Sequence, residues 1–346
     1  MKHLIERLIR WKNPQLYLHI GMPKTGTSTI QGLLFDNRKT LERHGYFYPD
    51  ATLGGSSDYA YAHHNLAHAI LENNNTPWQT LQAELAGNKR KRIILSSEVF
   101  SNCRHPHFLQ YIHEHLKHFS IKIVVYIRRQ DELMQGLYQT LVTYGDLTTP
   151  FADYLEMILN EHPHTLDYYS LINDLFANEF GKENILLRVY EKSSLFEGDL
   201  LKDFLKTTGF PASKYLQLDV PNNNLSFDAY TLEIFRQLKI RLKGKDEEAL
   251  EHIRRIMRKQ NIRNAFQGNN IITQEQSSRI MACVSQSNEK LAREYLLKED
   301  GILFNEESLK FATNNEVNIG EQDVENFLQT ADAGLANRFN KIFIPT

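Results

Sequence analysis

Four short apolar runs interrupt a chain whose other hydrophobic positions recur at helical spacing: QLYLHIG (15–21), RIILSS (92–97), IKIVVYI (121–127) and NILLRVY (184–190). Each has the length and β-branched content of a strand buried on both faces. Stretches with apolar residues three or four apart follow them, most clearly 27–44, 131–144 and 195–208. Such alternation predicts an α/β fold, a parallel sheet flanked by helices, with ligands held at the carboxyl ends of the strands. After residue 225 the strand signal fades, and SFDAYTLEIFRQLKIRL, DEEALEHIRRIMRKQ and TQEQSSRIMACVSQSNEKLAREYLL read as helices. The expected organisation is an N-terminal helix (1–14), an α/β nucleotide-binding domain (15–224) and a helical C-terminal portion (225–346) packed on that domain.

Composition narrows the class. A formal charge of −2 over 346 residues leaves no electrostatic footprint for nucleic acid. Cys103 and Cys283 match no metal or redox spacing, which suits a reducing cytosol and small core residues. No apolar run approaches the ~18 residues of a membrane span. In MKHLIERLIRWK, Leu4, Ile5, Leu8, Ile9 and Trp11 share a helical face opposite Lys2, Arg7, Arg10 and Lys12. That face either packs on its own domain or lies in a membrane surface. The expected location is the cytoplasm, with peripheral contact to the inner membrane in the second case.

The first strand runs into YLHIGMPKTGTSTIQ (17–31), where Gly21 and Gly26 have the spacing of an ATP-binding loop. The G-x-x-x-x-G-K-[ST] pattern needs lysine after the second glycine. Here Thr27 follows, and Lys24 lies inside the loop. In a turn from strand to helix, the backbone N–H groups of Thr25, Gly26, Thr27 and Ser28 would point at an anion, aided by the positive end of the helix. Lys24 adds a full charge, and Thr27 and Ser28 add hydroxyls. The lysine–serine pairing that holds magnesium is missing. This favours a phosphosulfate over a magnesium triphosphate, because a transferring sulfuryl group carries less charge and needs no metal clamp.

PKTGTST resembles the 5′-phosphosulfate loop of sulfotransferases that use 3′-phosphoadenosine 5′-phosphosulfate (PAPS). IRRQDELMQGLYQ is similar to the family's second element, with Arg128 at its arginine and Gly136 where a serine is usual. RVYEKSSLFEGDLLKDFLKTTGF has the tyrosine–glutamate pair of a later strand end at Tyr190 and Glu191. SQSNEKLAREYL with GILF resembles the C-terminal helix of bacterial members acting on carbohydrates. Asn224, in VPNNNLSF, stands where related sequences often carry a basic residue. The resemblance covers about residues 15–305. It implies a P-loop-type fold, PAPS as donor, 3′-phosphoadenosine 5′-phosphate (PAP) as product, no metal, and a carbohydrate or glycolipid acceptor, hydroxyl or amine. Arg128 and Arg129, with a further unidentified residue, would then meet the 3′-phosphate, or the donor has changed.

Transfer to a hydroxyl needs a base for the acceptor proton and a cation for the leaving phosphate oxygen. Lys24 suits the second role. For the first, Glu98 follows a strand end in LSSEVF, where Ser96, Ser97 and Glu98 alternatively cap the next turn. The other candidate is His64, one helical turn from His68 in YAHHNLAHAI. That pair could also bind metal, although no third ligand is apparent, or be plain solvated surface. Tyr46, Tyr48, Tyr59 and Tyr61 are candidates for stacking on sugar rings or for packing. Two other functions compete: an ATP-dependent small-molecule kinase with RIILSSE holding magnesium, and a non-catalytic nucleotide-binding protein.

Overall fold

The computed structural model of the chain describes residues 14–50, 53, 61–88, 91–102, 104–211, 213–217, 229–242, 246–259, 271–305, 311–312 and 319–331. The helix expected over 1–14 (save Pro14), Tyr59, Cys103 and Asn224 lie outside the described residues.

All four expected strands form: β1 (Gln15–His19), β3 (Arg92–Ser96), β4 (Ser120–Ile127) and β5 (Ile185–Val189). A fifth, β2 (Tyr46–Phe47), is only two residues long and gives no periodicity to read. The sheet is parallel with the order β2-β3-β1-β4-β5, which puts β1 at its centre between β3 and β4. This is the parallel, helix-flanked architecture of a P-loop-type α/β fold. Val124 and Tyr126 of β4 join Ile94 of β3 in a core closed by Ile30, Leu33 and Leu34 and by Leu201, Phe204 and Leu205. Ile123, Val125 and Ile127 alternate to the opposite face and are equally buried.

In chain order the helices are α1 (Thr27–Asp36), α2 (Arg38–Arg43), α3 (His64–Leu71), α4 (Thr76–Ala86), α5 (Val99–Asn102), α6 (Pro106–Leu116), α7 (Gln130–Thr143), α8 (Phe151–Glu161), α9 (Leu200–Thr207), α10 (Ala229–Leu242), α11 (Glu247–Lys259), α12 (Gln274–Tyr295) and α13 (Glu321–Ala331). The helix expected over 27–44 is broken at Asn37, whose side-chain amide donates to Leu33 O and Gln217 O at 2.9 and 3.0 Å. The one expected over 195–208 starts at Leu200, where Asp199 caps it by accepting from Lys202 N at 2.9 Å. No helix among the described residues is long and apolar enough to cross a membrane.

The chain forms two compact units, and neither is contiguous. Residues 1–129, 164–222 and 284–306 make the sheet unit, while 130–163, 223–283 and 307–346 make a helical unit. In this division α7 and α8 group with the later helices. In the helical unit the buried ammonium of Lys239 in α10 donates to Val142 O at 3.0 Å and to Gly145 O, satisfying carbonyls at the end of α7. Asp131, buried in the first turn of α7, accepts from Ser277 Oγ of α12 at 2.6 Å.

Candidate active site

The turn between β1 and α1 is wound through three left-handed residues: Gly21 (φ 47°), Lys24 (φ 66°) and Gly26 (φ 76°). The glycines are required by space as well as by φ. A Cβ on Gly21 would strike Thr27 Cγ2 and lie 3.4 Å from Glu98 Cβ, and one on Gly26 would collide with Leu200 Cδ2. Thr25 Oγ1 donates to Met22 O at 2.7 Å and closes the loop on itself. The first intrahelical donors of α1 are Thr29 N and Ile30 N, both bonding Gly26 O at 3.1 Å. The N–H groups of Thr27 and Ser28 precede them at the N-terminal end of the helix, where backbone donors and the helix dipole favour an anion. Ser28 is exposed, while Thr27 is buried with its methyl against Gly21.

Lys24 is the one loop residue that pays a conformational cost, since left-handed backbone is unfavourable for a side chain with a Cβ. Its carbonyl is held from the end of β4: Arg128 Nη1 donates to Lys24 O at 2.7 Å. Arg128 lies over the Tyr190 ring, 5.8 Å from its centroid, and its own carbonyl accepts from Tyr168 Oη at 2.9 Å. Burial, then the Arg128 charge, pushes the Lys24 ammonium below its ordinary pKa, and Glu98 acts against both. Arg129 follows at the same strand end, half-buried. Glu191, beside Tyr190, has a structural part, because its carboxylate accepts from Asn305 N at 3.1 Å and holds the chain after GILF.

Glu98 leaves the end of β3 beside Gly21. Its Oε2 accepts from Gln31 Nε2 of α1 at 2.9 Å, and its Oε1 lies 3.8 Å from His64 Nε2. His64, at the start of α3, pairs through Nδ1 with Ser97 Oγ at 2.7 Å. Burial lowers its pKa, Glu98 opposes that shift and His68 adds to it. The capping alternative is also realised, by a different residue: Ser97 Oγ accepts from Val99 N at 3.2 Å at the start of α5. Ser97 thus caps α5, while the Glu98 carboxylate makes its contacts with Gln31 and His64. His64 and His68 do not share one cleft. His68 is exposed and faces a polar pocket of about 430 Å³ with Asn65, Glu72, Asn74 and Thr80.

Three residues that the sequence did not single out, Gln31, His19 and His63, complete the arrangement around Ser96. Gln31 Nε2 also donates to Ser96 Oγ at 3.3 Å, and Ser96 Oγ pairs with His19 Nδ1 at 2.8 Å. His63 Nδ1 accepts from Ser96 N at 3.2 Å, so its Nε2 carries the proton and donates to Pro49 O at 3.1 Å. Burial holds His19 and His63 neutral, with pKa values near 3 and 4. The sequence carries one weak signal for Gln31, which lies four residues after Thr27 and hence on its helical face. For His19 and His63 it carries none. Tyr46 and Tyr48 are core residues, donating to Thr208 O and Tyr61 O, and present no face to a sugar.

No known family profile matches the chain. A protein of Archaeoglobus fulgidus described as uncharacterized is 25% identical over 223 residues, which cover 63% of this chain. The match spans 58% of that protein, so the chain covers less than two thirds of its relative. Among solved structures, a sulfotransferase from Alicyclobacillus acidocaldarius aligns over 70% of this chain and 96% of its own, with 16% identity and a TM-score of 0.37.

Proposed function

We propose that the sheet unit binds PAPS at the β1–α1 loop and transfers its sulfuryl group to a hydroxyl or amine of a carbohydrate, a polysaccharide or glycolipid. The observation that carries this reading is a carboxylate brought to the turn that holds the ammonium: Glu98, from the end of β3, lies against Gly21, and its charge acts on Lys24. The residues fit the donor. Left-handed Gly21 and Gly26 let the loop wind tightly, packed against Thr27, Glu98 and Leu200, and the N-terminus of α1 at the end of that turn supplies N–H donors for a phosphosulfate. Arg128 and Arg129 at the end of β4 are the cations for the nucleotide's 3′-phosphate.

In the reaction the acceptor oxygen or nitrogen attacks sulfur as the bond from sulfur to the bridging phosphate oxygen breaks. Glu98 takes the proton of the attacking group. The bond's electron pair stays on the departing phosphate oxygen, where Lys24 stabilises the new charge. His64, neutral and 3.8 Å from Glu98, is the alternative base.

A thermal-shift comparison of PAP, ADP and magnesium ATP tests the donor. Stabilisation by PAP well beyond ADP, independent of magnesium, is expected. Preference for magnesium ATP would replace this reading with a kinase. PAP binding without any PAP release from PAPS in the presence of carbohydrate acceptors would indicate a nucleotide-binding protein without transfer.

A further inference from the structure

Gln31 lies in the second turn of α1, the helix whose first turn receives the anion, and is almost fully buried. Its amide nitrogen has two acceptors, Glu98 Oε2 at 2.9 Å and Ser96 Oγ at 3.3 Å. Both acceptors belong to the segment leaving β3. The donor loop and the carboxylate thus sit on different strands, and a single amide bridges the helix of one to the strand end of the other. Ser96 is in turn fixed through Oγ by His19 and through its backbone N–H by His63. The amide therefore has a rigid anchor on one side and the carboxylate on the other, and the carboxylate is the partner it can orient.

We propose that Gln31 is a positioning residue for Glu98, carrying the placement of the donor loop on α1 to the carboxylate that takes the acceptor proton. The proposal rests on the reading of Glu98 as the base. It requires the amide's hydrogen bond and not only its volume, which separates it from a packing role. Methionine keeps the length and bulk of the side chain but donates nothing, so Gln31→Met should lower the rate of transfer about tenfold or more while PAP binds as before. Gln31→Glu gives a sharper signature. The introduced carboxyl can donate to Glu98 only while protonated, and two carboxyls at this distance share one proton. Transfer by that variant should survive on the acid side and fall on the alkaline side, at a lower pH than any loss the wild type shows as Lys24 deprotonates.

The test measures single-turnover release of PAP from PAPS, with water and a chito-oligosaccharide mixture as acceptors, between pH 5.5 and 9, alongside calorimetry of PAP. Wild type, Gln31→Met, Gln31→Glu, Glu98→Gln and the Gln31→Met/Glu98→Gln double variant are compared. Slow release by Gln31→Met with unchanged PAP affinity, no further loss in the double variant, and the alkaline limb in Gln31→Glu are the expected results. Wild-type release by Gln31→Met overturns the proposal, as does a loss of PAP affinity that matches the loss of rate. If Gln31→Met fails to fold, a Gln31→Glu profile shaped like the wild type's overturns it independently. Wild-type release by Glu98→Gln, or no release by the wild type itself, removes the underlying reading of the base.

Discussion

Arg128 Nη1 donates a 2.7 Å hydrogen bond to the carbonyl oxygen of Lys24, so the end of β4 holds the one loop residue that is left-handed without being glycine. The contact couples the guanidinium proposed for the 3′-phosphate to the ammonium proposed for the leaving group. Arg128→Met should remove a charge-assisted bond worth ~1.5–3 kcal/mol, weakening PAP by roughly ten- to hundredfold. ADP should lose less, because it has no 3′-phosphate. Calorimetry with both nucleotides checks this, and equal losses would confine Arg128 to holding the loop.

Lys24 itself separates stability from turnover. Lys24→Ala should lower PAP release about a hundredfold or more, in line with the loss of one preorganised charge. Lys24→Gly should be as inactive, yet more stable than Lys24→Ala by about 1 kcal/mol, since glycine adopts φ 66° without strain. Denaturant melts of the two variants decide it, and a less stable glycine variant would contradict the strain.

Gly26 meets both a conformational and a steric constraint. Gly26→Ala should destabilise the sheet unit by about 1–3 kcal/mol, because the new methyl strikes Leu200 Cδ2 at a backbone φ of 76°. In the Gly26→Ala/Leu200→Ala double variant the steric part should vanish while the φ part remains, leaving a favourable coupling between the two sites. Strict additivity in a double-mutant cycle would mean that the collision is relieved by other shifts.

The buried imidazoles make the sheet unit acid-sensitive. His19 and His63 stay neutral in the folded protein down to about pH 3 and 4 but take up protons near 6.5 when unfolded. Between those values the unfolded state binds more protons, so stability falls as pH drops below about 6.5, by on the order of 3 kcal/mol per ring at pH 4. His19→Phe, which keeps the ring between Tyr126 and Phe204, should reduce that slope. Urea midpoints at pH 7, 6, 5 and 4 measure it, and parallel slopes for variant and wild type would refute the assignment.

The strands β1, β3, β4 and β5 were legible because a parallel strand buried on both faces must be apolar nearly throughout, a local property of the chain. Lys24 within a glycine-bounded turn after β1 was legible for the same reason: the turn's geometry is written in adjacent residues. Strand β2 was not, since two residues carry no period, and Tyr46 and Phe47 enter the sheet only by pairing with Arg92 and Ile93. Nor was the joining of α7 and α8 to the later helices, because an apolar stripe states that a helix must be covered but not by which partner. The surroundings of Glu98 belong wholly to tertiary structure. Gln31, His64 and Glu98 are separated by 33 to 67 residues in the chain, and their 2.9 and 3.8 Å approaches arise where the ends of β1 and β3 meet in the sheet. Residue type and local spacing determined which groups could do chemistry; long-range strand order decided which of them stand together, since hydrogen bonds act at about 3 Å whatever the separation along the chain.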